Sequence, residues 1–145
     1  MAVITDIADA VVASLNSPGD PGFSQPFTAE RFYQPSFELA DMATLHVSVV
    51  PRTVTISSAS RNASFHDCAI DVGVQKKVNP ENPAEIDGLL NLMDEIADHL
   101  RLKRLEAYPD AAWLSMQHEP VFAPEHLDQL RQFTSVLTVT YRVPR

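Results

Sequence analysis

Apolar and polar residues follow a helical period over one long stretch of the chain, residues 82–105. Asn82 and Pro83 are residue types typical of a helix start. The pattern predicts one long central helix with Leu90 and Met93 at the middle of its buried stripe. The apolar positions of this stripe recur at steps of three and four: Ile86, Leu89, Leu90, Met93, Ile96, Ala97 and Leu100.

A shorter helical pattern covers residues 5–15, where Thr5 is a suitable cap. Residues 16–22 follow it and are rich in proline and glycine, which break regular structure. The sequence therefore predicts a short N-terminal helix that a flexible link joins to the rest of the fold.

Elsewhere apolar residues alternate with polar ones at a period of two, which indicates β-strands. We predict sheet strands within about residues 27–78 and closing strands within about residues 112–143. Pro51 is expected either to end one strand or to bend it, in which case the strand continues after the bend. The small polar residues 57–64, with Arg61 at their middle, predict a hairpin loop. Three sets of residues are predicted to share a strand face: Cys68, Ile70, Val72 and Val74; Ala112, Leu114 and Met116; and Leu137, Val139, Tyr141 and Val143.

Two segments have a weaker pattern. A strand over residues 27–33 is expected to resume at Phe37 and Leu39 after a proline. A short helix is expected to begin at Pro124, with Leu127 and Leu130 pointing inward.

Strands grouped together rather than alternating with helices favour an α+β fold. We predict a single domain over residues 1–145, in which a mostly antiparallel sheet packs against one long helix. The short N-terminal helix completes this fold.

The chain has 145 residues, a net charge of −8 and a sequence pI of about 4.9, so an extended positive surface for nucleic acid is not expected. Its single cysteine, Cys68, has no partner for an internal disulfide, which is compatible with a reducing cytoplasm. We see no signal peptide, and no apolar run of the length that spans a membrane.

Candidate catalytic chemistry is sparse. The histidines are not spaced as metal ligands, and the sequence has no glycine-rich phosphate loop. His66, Asp67 and Cys68 are adjacent, but neighbouring strand residues point to opposite faces, so Asp67 is expected to point away from the other two. We therefore assign no catalytic, cofactor-binding or metal-binding residue.

The element order resembles that of the tail terminator proteins and related neck proteins of long-tailed bacteriophages. The likeness runs through the N-terminal ITDIADAVVASLN, the central KKVNPENPAEIDGLLNLMDEIADHL and the closing HLDQLRQFTSVLTVTYRV. The resemblance implies a ring, usually of six subunits, that ends the tail tube and joins it to the head. It implies tail tube and connector or head proteins as partners, a place in the virion after assembly in the host cytoplasm, and DNA that passes through without specific binding.

A closed ring needs complementary surfaces on neighbouring subunits. We expect Arg31, Arg52 and Arg61 of one subunit to face acidic residues of the next. The acidic candidates lie on the polar side of the central helix: Asp87, Asp94 and Asp98. Acidic character also suits a channel that does not retain DNA, because like charges repel.

Two other classes of function remain open. One is another neck, head-completion or accessory binding protein of the particle, which recognises a partner through the acidic helix face. The other is a small cytoplasmic enzyme that uses His66, Cys68 or the helix carboxylates.

Overall fold

The computed structural model of the chain describes residues 2–17, 19, 22–33, 44–79, 81–119, 122, 124–125 and 131–145. The described elements, in chain order, are α1 (Val3–Leu15), β1 (Ala29–Arg31), β2 (His46–Ser60), β3 (Ala63–Lys77), α2 (Pro83–Leu100), β4 (Ala112–His118) and β5 (Gln132–Pro144). Within these residues, no helix is long and apolar enough to cross a membrane.

The five described strands form one sheet in the order β1-β2-β3-β5-β4. β1 pairs with β2 in parallel, and the other three pairings are antiparallel. Two helices and a mixed sheet make an α+β fold, as the grouping of strands in the sequence predicted.

The prediction of one long helix was wrong, because α2 has 18 residues and α1 has 13. α2 begins at Pro83, as predicted, but ends at Leu100 instead of residue 105. Arg101 has an extended backbone (ψ 128°), and Leu102 has a positive φ of 60°. Neither conformation continues a helix, so the basic residues beyond Leu100 belong to a turn.

The two helices and one face of the sheet share a single core. The sheet contributes the faces predicted for β3 and β5, which confirms both: Cys68, Ile70, Val72, Val74, Leu137, Val139, Tyr141 and Val143 are buried. In α2 Met93 is buried, as predicted, but Leu90 is only partly buried and Leu92 is fully buried. The buried stripe of α2 is therefore rotated from the predicted one.

β2 and β3 form a hairpin of two 15-residue strands. β2 runs through Pro51, which confirms that the strand continues, and its register with β3 shifts between Pro51 and Thr53. The hairpin turn is made by Arg61 and Asn62 alone, since pairing extends to Ser60 and Ala63. The predicted loop over residues 57–64 was thus too wide, because its small polar residues continue both strands.

The face predicted for β4 was wrong. Trp113 and Met116 pack against the core, while Ala112 and Leu114 are exposed. A register shift between Trp113 and Ser115 marks a β-bulge, and a bulge reverses the alternation along a strand.

Of the weaker predictions, the strand at residues 27–33 is reduced to Ala29–Arg31. Pro124 and Glu125 have helical conformation. Phe37, Leu39, Leu127 and Leu130 lie outside the described residues.

Candidate assembly surface at the sheet edge

The distal half of β2 forms an open edge of the sheet among the described residues. β1 pairs only with Val47, Ser48 and Val49 of β2, and Phe32 N–H donates the last bond to the carbonyl oxygen of Val49 at 2.9 Å. From residue 52 to residue 60, β2 pairs with β3 on one side and with no described residue on the other. Every residue of this stretch is exposed. Backbone groups on such an edge are able to pair with another chain.

This edge carries exposed apolar side chains on the core face of the sheet. Val54 lies opposite Cys68 and Ile56 lies opposite His66, so the paired residues share a face. Cys68 is fully buried, whereas Val54 is 41% exposed and Ile56 is 63% exposed. In this half of the hairpin the core therefore ends between β3 and β2, and the apolar face of β2 continues beyond it.

The opposite face of the sheet is held by an ion-pair and hydrogen-bond network. Arg142 donates from Nε to Asp67 Oδ1 at 2.8 Å and from NH2 to Asp67 Oδ2 at 3.0 Å, and its guanidinium lies 4.6 Å from the centre of the Phe65 ring. The Thr138 hydroxyl donates to Asp71 Oδ1 at 2.6 Å. These contacts cross β3 and β5, so the strands behind the open edge are firmly connected.

Two of the predicted interface arginines are engaged within the chain. Arg31 Nε lies 3.3 Å from Asp9 Oδ1, and its guanidinium lies over the Tyr33 ring. Arg52 NH1 lies 3.5 Å from Asp71 Oδ1 and 3.2 Å from the Thr138 hydroxyl. Contacts to a second subunit would have to compete with these pairs.

Arg61 is the predicted arginine with the greatest freedom to meet a partner. It sits in the hairpin turn at the end of β2, is exposed, and forms no ion pair with any described residue.

The predicted acidic residues all lie on the exposed side of α2. Asp98 pairs with Arg101 at 3.6 Å, while Asp87 and Asp94 form no ion pair within the described part of the chain. Burial lowers the pKa of the His118 imidazole in β4, and the negative charge of Asp94 opposes this shift. The structure does not bring the predicted arginines and aspartates together within one described chain.

The residues of the enzyme hypothesis do not form a reactive set. Cys68 is fully buried, and burial, with a smaller effect of Asp67, raises the pKa of its thiol, which disfavours a thiolate. Asp67 is bound to Arg142 on the opposite face. Among the described residues, no group of three or more His, Cys, Asp or Glu side chains is placed to hold a metal ion.

Sequence reasoning missed the importance of Val54 and Ile56. Their alternation with threonine and serine marked a strand, but it did not show which edge stays open. That depends on β1, which pairs in parallel with only three residues of β2.

In comparisons with family models and with curated proteins, nothing matches this chain.

Proposed function

We propose that this protein is a structural component of a phage particle. Six copies form a ring at the head–tail junction, which ends the tail tube and joins it to the head. The open, apolar edge of β2 is the observation that carries the proposal, because it offers a surface for a neighbouring subunit. The ring acts in the virion and assembles in the host cytoplasm.

The described sheet has two edges that differ from one another. On one side the sheet ends in the short β1 and the uncovered residues 52–60 of β2, and on the other side it ends in β4, which pairs only with β5 among the described strands. Contact between unlike edges is head-to-tail, and a head-to-tail contact closes into a ring when the rotation permits. The β2 edge of one subunit therefore joins the β4 edge of the next, with Val54 and Ile56 covered by the contact.

Ion pairs between neighbouring subunits fix the orientation of the subunits in such a ring more than they add to affinity. Arg61 lies at one end of the β2 edge, while Asp87 and Asp94 lie exposed on α2. Exposed ion pairs contribute only about 0–1 kcal/mol each, so apolar burial at the edge supplies most of the stability. The net charge of −8 keeps DNA moving through the ring without retention.

An edge-blocking variant tests the subunit contact. Ile56→Lys places a charge on the apolar face of β2, and Ser57→Lys places the same charge on the opposite, polar face as a matched control. Light scattering across a concentration series should show the ring for the unaltered protein and Ser57→Lys, and monomers for Ile56→Lys. Equal assembly of both variants would exclude the β2 edge as the contact.

The head-to-tail geometry has its own test. Leu114 of β4 is 40% exposed, so Leu114→Lys alters the other edge. Each variant alone should remain monomeric, whereas a mixture should form a heterodimer and stop there, because only one intact pair of edges remains. A mixture that stays monomeric would exclude the contact between the β2 and β4 edges, and self-association of one variant alone would indicate contact between identical edges.

Particles made without the protein test the biological role. They should show heads and tails that fail to join, or tails of uncontrolled length. Normal particles would exclude a neck role. If Ile56→Lys particles assemble normally although the isolated variant is monomeric, the protein acts instead as an accessory binding protein.

A further inference from the structure

We infer that a cleft on the helix side of the sheet binds a small organic anion with an apolar body. This Tyr141 cleft lies between the second half of α1, the end of α2 and the turn that follows α2, and Tyr141 of β5 contributes to its lining. Its volume is about 390 Å³. Ligand pockets in proteins commonly enclose ~300–1,000 Å³, so a compact molecule fits.

The hydroxyl of Tyr141 is the feature that the fold alone does not explain. Tyr141 is fully buried, and its hydroxyl has no hydrogen-bond partner among the described residues. Burial raises the pKa of Tyr141, so the hydroxyl keeps its proton and is a donor. An unpaired buried hydroxyl destabilises a protein, and a bound acceptor atom would remove that cost.

The charge at the cleft is opposite to that of the whole protein. Lys103 and Arg104 line it together with one carboxylate, Glu106. Neither cation forms an ion pair in the described part of the chain, although Arg104 NH1 donates to the carbonyl oxygen of Pro109 at 2.7 Å. A local excess of positive charge in a protein of net charge −8 favours an anionic group at this position.

Small side chains and a fixed wall keep the cleft open. Ala10 and Ala13 of α1 line it where larger residues would fill the space. His99 Nε2 lies 3.1 Å from the Ser14 carbonyl oxygen and 3.0 Å from its hydroxyl, so Nε2–H donates to the carbonyl and joins α2 to α1. The positive φ of Leu102 then turns the chain so that Lys103 and Arg104 reach the cleft.

These groups define the ligand class. The apolar body packs against the alanines of α1 and against Leu100 and Leu105, and the acidic group meets Lys103 and Arg104. An acceptor atom receives the Tyr141 hydroxyl proton after a small movement of the lining, which leaves that hydroxyl no accessible surface in the free protein. This site uses none of the residues of the β2 edge, so the inference is independent of the ring.

Nitrogen–proton NMR titrations of the full chain with 2-naphthoate, indole-3-acetate and octanoate test the inference. At least one acid should give saturable shifts of amides in and around Ala13, Lys103 and Ala107. Ala13→Leu, which fills the cleft, should weaken binding more than about tenfold, that is, by more than about 1.4 kcal/mol. Ala84→Leu at the opposite, exposed start of α2 is its matched control and should bind normally.

Two further variants separate the roles of charge and hydroxyl. Lys103→Gln should weaken 2-naphthoate by about two- to fivefold and leave uncharged 2-naphthamide unaffected, while Lys77→Gln should change neither. Tyr141→Phe should weaken both compounds without lowering the melting temperature, because the hydroxyl has no partner within the described chain. Absence of saturable shifts with all three acids, or unchanged binding by Ala13→Leu, would overturn the inference.

Discussion

Arg142 and Asp67 form a bidentate ion pair across two neighbouring strands of the sheet, with Nε–Oδ1 at 2.8 Å and NH2–Oδ2 at 3.0 Å. The side chain of Asp67 retains only 17% of its exposure. Its hydrogen bonds to Arg142 lower the pKa of Asp67. The pair joins β3 to β5 on the face away from the helices, and its two parallel hydrogen bonds make it one of the stronger kinds of ion pair.

The first prediction concerns the pH dependence of this pair. Because the pKa of Asp67 is lower in the folded state, its contribution to stability is fully present above the unfolded pKa of about 3.9 and is lost as the pH falls through the folded pKa. Asp67→Asn should therefore reduce the urea midpoint at neutral pH, and the difference from the unaltered protein should shrink in acid. Asp87→Asn, on the exposed side of α2, is the control, and an equal effect of both changes would contradict the prediction.

A second pH effect comes from His99. Burial lowers the pKa of His99, opposed by its bond to Ser14 and assisted by Lys103. The unfolded chain then takes up the proton first, so stability should decline as the pH falls below about 6.5 and level off below the folded pKa. His118, whose pKa burial also lowers, acts with the same sign. Denaturant melts at several pH values measure this effect. The free energy of unfolding should depend less on pH for His99→Gln, and least when both histidines are replaced. An unchanged pH dependence would contradict the prediction.

The third prediction compares two leucines of α2. Leu92 is fully buried and Leu90 is only partly buried. Leu92→Ala should lower the free energy of unfolding by about 2–5 kcal/mol, as for other large-to-small core changes, and Leu90→Ala should lower it by less. Equilibrium melts in urea measure both. The reverse order would mean that α2 is rotated relative to the orientation described above.

Cys68 provides the fourth prediction. It is fully buried, and burial raises the pKa of its thiol. A disulfide reagent for thiols such as dithiobis(nitrobenzoate) should react with Cys68 only after denaturation. Rapid stoichiometric reaction of the native protein would show that the thiol is accessible, and would revive the enzyme hypothesis.

The fifth prediction follows the β2 edge through assembly. Amides of residues 52–60 that point away from β3 have no partner among the described residues, and should exchange quickly in the isolated subunit. In assembled particles the same amides should exchange slowly. Strong and equal protection in both states would mean that something other than a second subunit covers the edge.

Local pattern was sufficient for part of this fold. The buried faces of β3 and β5 follow from the apolar residues that occupy every second position along these long strands. Pro83 marks the start of α2. The end of α2 was misplaced because the backbone of Arg101 and Leu102 departs from helix while the residue types still suit one. In β4 a single bulge after Trp113 reversed the expected face. The sequence pattern of one strand cannot show a bulge, because the bulge depends on how that strand pairs with its neighbour.

The candidate sites depend on contacts that are distant in sequence. Val54 and Ile56 are exposed because the parallel partner of β2 is only three residues long. The Tyr141 cleft joins α1, the turn after α2 and β5, which no local pattern connects. The sequence shows which residues carry charge, but it does not show their partners. Arg31 and Arg52 form ion pairs within the chain.

The open edge also has a consequence for handling the isolated protein. Residues 53–60 (TVTISSAS) contain no charge and no proline, and their first half consists of threonine, valine and isoleucine. Windows of this kind are prone to stack into amyloid-like fibrils when they are exposed at an edge. Arg52 and Arg61 stand at the two ends of the window, as charged gatekeepers do in natural strands. Removing either arginine should shorten the lag time of fibril formation, even where the folded state is unchanged.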